Sequence, residues 1–166
     1  VYYKLQTFIY MPTSGIVQGM RPLMSYNYGA KLKERMHQIL KVSGLVIAAI
    51  LGAGTLLFFI VPNVLLSLFN ASSGMLEIGE TGLRILSLSF IVSSFGVLMS
   101  GVFEALGLGK YSLIVSLLRQ LLITVPLAYI LLNIMGIEGI WLSFVIAEAI
   151  ASIVAYILYH KKFKTI

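Results

Sequence analysis

Five apolar stretches, each long enough to cross a bilayer, leave this 166-residue chain almost no way to fold in water. They cover about residues 5–28, 39–61, 81–106, 112–133 and 139–159. A hydrocarbon core ~30 Å thick needs about 20 apolar residues at a helical rise of ~1.5 Å each. A barrel strand needs only about 10, with alternating polarity, so length selects helices. Charged residues make up 11% of the chain, against roughly 25% in a soluble domain, and that is too few to coat a water-facing surface. The expected fold class is therefore an all-α integral membrane protein of about five transmembrane helices. There is no cysteine, so disulfides, thiolate catalysis and Cys-ligated metals are excluded. The chain starts at Val1, with no charged segment or cleavage site ahead of the apolar sequence. We expect no signal peptide and a piece of a longer protein.

The connections assign an orientation. Five spans alternate sides, so one face collects Lys31, Lys33, Arg35, Lys41, Lys110, Lys161, Lys162 and Lys164, and the other collects Lys4. The positive-inside rule puts the first face in the cytoplasm, with the carboxyl end inside. The net charge of +6 is then a juxtamembrane band that attracts anionic lipid headgroups, at about 1 kcal/mol per Lys or Arg. It is not a nucleic-acid footprint. The segment from Lys31 to Lys41 reads equally as a short amphipathic helix on the membrane or as a solvated loop.

Arg21, Arg84, Glu104, Arg119 and Glu148 fall inside or at the ends of the apolar stretches, where ionisable groups are costly and face a bundle interior or a cavity. Arg119 is nine residues from Lys110, or ~13 Å of helix, and Glu148 is thirteen from Lys161, or ~20 Å. On neighbouring antiparallel helices two long side chains bridge that difference, so we expect Arg119 and Glu148 to interact. The pair either locks two helices or forms a proton or cation site in which Glu148 changes partner. Glu104 is expected to reach the interface as a solvated or cap-like group. Arg84, one turn from Glu80, is expected to snorkel to the outer headgroups. Arg21 directly precedes Pro22, which frees the carbonyl one turn back and bends the helix. It faces the cavity made there or snorkels inward. Pro22 with Gly15 and Gly19 is the hinge candidate, and Gly15-Ile-Val-Gln-Gly19 is also a GxxxG that permits close helix packing.

Other patterns carry less. Gly107-Leu-Gly109 lacks the residues of a phosphate loop. Asn70-Ala-Ser72 is a formal glycosylation sequon on the outer side. His37 and His160 are too isolated for a metal site. No Ser-His-Asp set, HExxH or catalytic carboxylate pair is present, so neither an enzyme nor a metal centre is expected.

Several blocks resemble the multidrug and toxic compound extrusion (MATE) family, in its bacterial multidrug efflux branch. They are Tyr3-Lys-Leu-Gln-Thr-Phe8, Gly15-Ile-Val-Gln-Gly-Met20, Pro22 with Tyr26-Asn-Tyr-Gly-Ala-Lys31, Leu83-Arg-Ile85, Phe103-Glu-Ala-Leu-Gly107, Tyr111-Ser-Leu-Ile-Val-Ser-Leu-Leu-Arg-Gln120 and Ile146-Ala-Glu148. The likeness runs along essentially the whole chain. It implies a 12-helix transporter of two six-helix lobes, in which residues 1–166 are most of the carboxyl-terminal lobe, helices 8 to 12. It further implies export of cationic and amphipathic drugs in exchange for Na⁺ or H⁺, with no cofactor. The protein would then sit in the bacterial plasma membrane, with lipids, the missing amino-terminal lobe and small-molecule substrates as partners.

Gln18, Arg21, Tyr26, Asn27, Arg119, Gln120 and Glu148 are the expected cavity or coupling groups. Amides and phenols would contact substrate, and Glu148 would pair or titrate. Arg21 departs from the family pattern, where an apolar or amide residue is expected, and changes the charge of the cavity. The alternatives are a flippase of the same superfamily moving a lipid-linked saccharide, or a non-transporting membrane fragment. Several arginines in the cavity favour the anionic cargo of a flippase, whereas acids favour drugs.

Overall fold

A computed structural model describes residues 2–68 and 73–163. Among these, seven α-helices follow one another and no strand occurs. The first, α1, runs unbroken from Tyr2 to Gly29 through both Pro12 and Pro22. Its buried residues recur at helical spacing, with Leu5, Thr13, Val17, Met20 and Met24 on one face. Phe8, Met11, Leu23 and Tyr26 lie exposed on the other.

The turn out of α1 closes in a Schellman arrangement, with Leu32 N–H donating to Asn27 O at 2.9 Å and Lys31 N–H to Tyr28 O at 3.0 Å. That motif needs a left-handed residue at its centre, and the position is held by Lys31, with φ of 57°. Gly29 lies two residues too early to serve. α2 then runs from Lys33 to Ile60. From Lys33 onward the basic segment is thus neither a separate surface helix nor a loop but the opening turns of α2, which include Lys33, Arg35 and Lys41.

A short α3, Pro62–Ser67, begins on a proline whose absent N–H costs nothing at the first helical position. The Asn70-Ala-Ser72 sequon lies outside the described residues. α4, Ser73–Ala105, is the central element and packs against α1, α2, α3, α5 and α7. Four serines in this helix are satisfied inside it: Ser87, Ser89, Ser93 and Ser94 each donate to the carbonyl three residues back. With no water in a bilayer core, that local bonding is what makes hydroxyls tolerable there. Phe90 sits edge-on to Tyr10 at 5.7 Å and to Phe58 at 5.1 Å, tying α4 to α1 and α2. A second Schellman turn ends α4, this time on Gly107 with φ of 71°.

The stretch from residue 109 to 135 is one rod in three pieces. α5, Gly109–Leu117, passes into a π-turn at Leu118–Leu122 and then into α6, Thr124–Met135. Ile123 N–H reaches back five residues to Leu118 O, at 3.1 Å. Pro126 lies just beyond and offers no N–H to Leu122 O, so a wider turn disrupts the backbone ladder little at this point. Gly136, with φ of 69°, turns the chain into α7, Ile137–Phe163, which packs on α4 and α6.

Among the described residues, four segments are long and apolar enough to cross a membrane: Lys33–Ile60, Ile78–Ala105, Gly109–Met135 and Ile137–Lys162. The sequence predicts a fifth in α1. At 28 residues α1 is ~42 Å long, ample for a bilayer, but Lys4, Gln6, Gln18, Arg21 and Asn27 dilute its apolar content.

Candidate functional site

Arg119 projects from the π-turn and Glu148 from the middle of α7. Arg119 Nη2 lies 3.0 Å from Glu148 Oε1, and the two side chains are only 15% and 13% exposed. The π-turn carries a further contact at the same residue, where Thr124 Oγ1–H donates to the backbone Arg119 O at 2.6 Å. Arg119 Nε and Glu148 Oε2 have no hydrogen-bond partner among the described residues. The pair therefore neutralises itself through one contact and leaves one donor and one acceptor unused.

A second ion pair joins Arg21 on α1 to Glu104 at the end of α4. Glu104 also accepts a hydrogen bond from Ser112 Oγ on α5 at 2.8 Å, so one carboxylate gathers three helices. This is a finding the sequence did not disclose. Glu104 is 38% exposed, as expected of a solvated group, and it also links α1 to α5. Arg84 likewise pairs with Glu80, one turn before it on α4, at 2.7 Å, and its guanidinium lies 5.8 Å from the Phe59 ring centre.

The two arginines meet a common space. A cavity of about 310 Å³ opens between α1, α4 and the α5–π-turn segment, lined by Ser14, Gln18 and Arg21 of α1, Ser100 of α4, and Ser116 and Arg119. Its apolar floor is Val17, Val97 and Gly101. Gly101 is required there, because a Cβ at that position would stand 2.5 Å from Val17 Cγ1. Its absence lets α1 and α4 approach closely behind the cavity. A second cavity, also about 310 Å³, shares Ser14 and Arg119 and adds Gln6, Thr7 and Tyr10. Tyr10 Oη and Ser93 Oγ are 2.5 Å apart, so this phenol is already anchored to α4.

Of the residues singled out from sequence, Gln18, Arg21 and Arg119 line this cavity, and Glu148 stands behind Arg119 as its partner. Asn27 does not line it: 7% exposed, it donates from Nδ2 to Leu23 O at 2.8 Å and belongs to the end of α1. Tyr26 is 74% exposed and Gln120 is exposed on the π-turn, and neither lines the cavity. Gly15, Gly19 and Pro22 lie exposed on α1, and a Cβ at either glycine would meet nothing within 4 Å. Among the described residues the GxxxG therefore brings no helix close. Ser14, Ser100 and Ser116 were missed; single serines in apolar helices carry no periodic signal, and only the packing of three helices converges them.

Comparison with known proteins places this arrangement in context. A family model described as MatE matches residues 1–130. A multidrug export protein MepA from Staphylococcus saprophyticus is 26% identical over 156 residues, covering 94% of this chain and 34% of its own length. MepA of Staphylococcus aureus strain N315 is 25% identical over the same extent. Among solved structures, the MATE multidrug transporter DinF-BH is 30% identical with a TM-score of 0.86, over 95% of this chain and 35% of that one. An outward-facing MATE family transporter of the MOP superfamily superposes with a TM-score of 0.92 at 22% identity, over 99% of this chain and 37% of that one. The chain spans about a third of the length of the curated relatives it matches.

Proposed function

The chain belongs to the MatE family, as a multi-pass, all-α membrane protein, and from that premise we propose that it forms most of one lobe of an efflux antiporter. In this reading α1, α2, α4, the α5–π-turn–α6 rod and α7 are helices 8 to 12 of a two-lobe transporter. The missing amino-terminal lobe closes the other side of the cavity. The protein works as a transporter rather than an enzyme, exporting amphipathic small molecules in exchange for Na⁺ or H⁺. It sits in a bacterial plasma membrane with lipids around it and its carboxyl end in the cytoplasm.

The observation that carries this reading is a polar cavity beside a buried ion pair, within a bundle whose outer surface is apolar. A bundle built only to fill a membrane has no use for Gln18, three serines and two arginines around one space. Glu148 is the coupling candidate, because one of its oxygens is unused and its bond to Arg119 is the one that an incoming cation or proton would replace. Pro22 is the hinge candidate. Its missing N–H leaves the carbonyl of Gln18, a cavity residue, without its helical donor, so α1 is softest where it lines the site.

The test is transport in proteoliposomes containing the purified protein. An imposed Na⁺ or H⁺ gradient should drive accumulation of a fluorescent amphiphile, and Glu148→Gln should remove the gradient dependence. Accumulation that ignores both gradients would overturn the antiport reading. One observation favours a second reading, a flippase of lipid-linked saccharides: the charged residues lining the cavity are both arginines.

A further inference from the structure

The charge of the cavity is lopsided in a way that antiport of drugs does not require. Among the described residues its lining holds Arg21 and Arg119 and no carboxylate. The carboxylates that balance them, Glu104 and Glu148, are not part of the lining, and each engages a single Nη2. A guanidinium carries five N–H donors in a fixed fork, so each arginine keeps donors to spare. Three donors on the lining residues have no partner among the described residues: Arg21 Nε, Arg119 Nε and Ser100 Oγ. Unpaired buried donors are costly, and all three belong to residues that line one space. Gln18 and Ser116 supply further donors on the same wall. The apolar floor of Val17 and Val97 lies next to them, so the cavity offers a donor-rich wall against an aliphatic one.

We propose that this cavity is an oxyanion subsite, binding the phosphate, sulfonate or carboxylate head of an amphipathic molecule between Arg21 and Arg119 while Val17 and Val97 take its apolar body. This deepens the export reading and rests on it only for the route by which the molecule arrives. The head accepts from Arg21, Arg119, Ser100 and Gln18, and the ion pairs to Glu104 and Glu148 hold both guanidinium groups in place meanwhile. Arg–oxyanion contacts of this kind are charge-assisted and directional, which suits a planar carboxylate or a phosphate better than a quaternary ammonium.

The test is calorimetric titration of the purified protein in a neutral detergent with decyl phosphate, using decyltrimethylammonium as the matched cation. Decyl phosphate should bind more tightly, and its affinity should fall as salt rises. Arg21→Gln and Arg119→Gln should each weaken it by roughly tenfold or more, the change that follows loss of a hydrogen bond to a charged group. Arg119→Gln also orphans Glu148 and can fail to fold. Gln18→Glu therefore serves as the second variant: it leaves both ion pairs intact, sits at an exposed position, and should weaken decyl phosphate while strengthening the cation. Competition by inorganic phosphate identifies a soluble oxyanion as the source, and competition by dioleoyl phosphatidate alone identifies a lipid headgroup. Equal affinity for the two decyl probes, or no response to Gln18→Glu and Arg21→Gln, overturns the proposal. Those results together with intact gradient-driven export would sink the subsite alone. Tight, arginine-dependent decyl phosphate binding in a protein that moves no amphiphile supports the subsite and sinks the export reading.

Discussion

Arg119 and Glu148 face each other at 3.0 Å across two helices consecutive in the chain, with Arg119 held on a π-turn and Glu148 on a regular helix. Removing one partner of a buried pair costs more than the pair contributes, because the survivor is left charged and unmatched. Arg119→Ala should lower stability by about 3–5 kcal/mol, and the double variant Arg119→Leu with Glu148→Leu should recover most of it. Thermal unfolding of the detergent-solubilised protein checks both. A double variant no better than the single one would mean that the guanidinium matters through something other than this carboxylate.

The other membrane-embedded pair should behave differently. Arg21 and Glu104 are 41% and 38% exposed and lie near the end of the bundle that carries Lys110, so screening reduces their attraction. Glu104→Gln, which still accepts from Ser112, should cost no more than about 1 kcal/mol. The same thermal assay should separate it clearly from Glu148→Gln.

Depth arithmetic from the basic ends was enough to bring Arg119 and Glu148 together, since both distances run along single helices. No such arithmetic reaches the Arg21–Glu104 pair. It joins residues 83 positions apart, and its existence depends on how closely α1 and α4 cross. The five apolar stretches were legible because bilayer thickness sets a length that composition either meets or does not. Helix ends were less so: Lys33 to Lys41 is charged enough to read as a connection, yet nothing in it stops a helix. The cavity was half legible. Gln18, Arg21 and Arg119 stand out as polar groups in apolar sequence, whereas Ser100 and Ser116 look like any small residue until three helices converge.

The contact between Gly101 and Val17 makes a third prediction. Gly101→Ala should destabilise the bundle by about 1–3 kcal/mol through overpacking and narrow the cavity. Val17→Ala in the same chain should offset much of that loss, giving a coupling well outside additivity. Unfolding midpoints of the two single variants and the double variant measure it.

Lys31 supplies a fourth. Its backbone is left-handed at a position where glycine carries no penalty, so Lys31→Gly should stabilise the protein by about 1 kcal/mol. Gly107→Ala, at the matching position after α4, should lose a similar amount. Opposite signs in a thermal-shift experiment are the signature; a common sign would contradict the turn geometry.

Pro22→Ala tests the hinge. The substitution returns a donor to Gln18 O and should leave the folded protein as stable or more so, while slowing transport and changing which residues of α1 are labelled from each side. Unchanged transport and unchanged labelling would remove Pro22 from the mechanism.

The π-turn has a consequence for how this chain tolerates changes of length. A turn of this kind holds one residue more than the helix around it needs, so the rod from Gly109 to Met135 is written in two phases that meet at Leu118–Leu122. Deleting a single residue there would knit the two phases into one regular helix and leave the faces of α6 where they are, whereas a deletion within α5 or α6 would turn everything beyond it by about 100°. Thr124 would then stand four residues after Arg119, still within reach of its carbonyl, and the α6 surface packed on α7 would keep its place. Loss of one residue from this segment should thus be better tolerated than loss of one residue from α5 or α6, where it is a change of face.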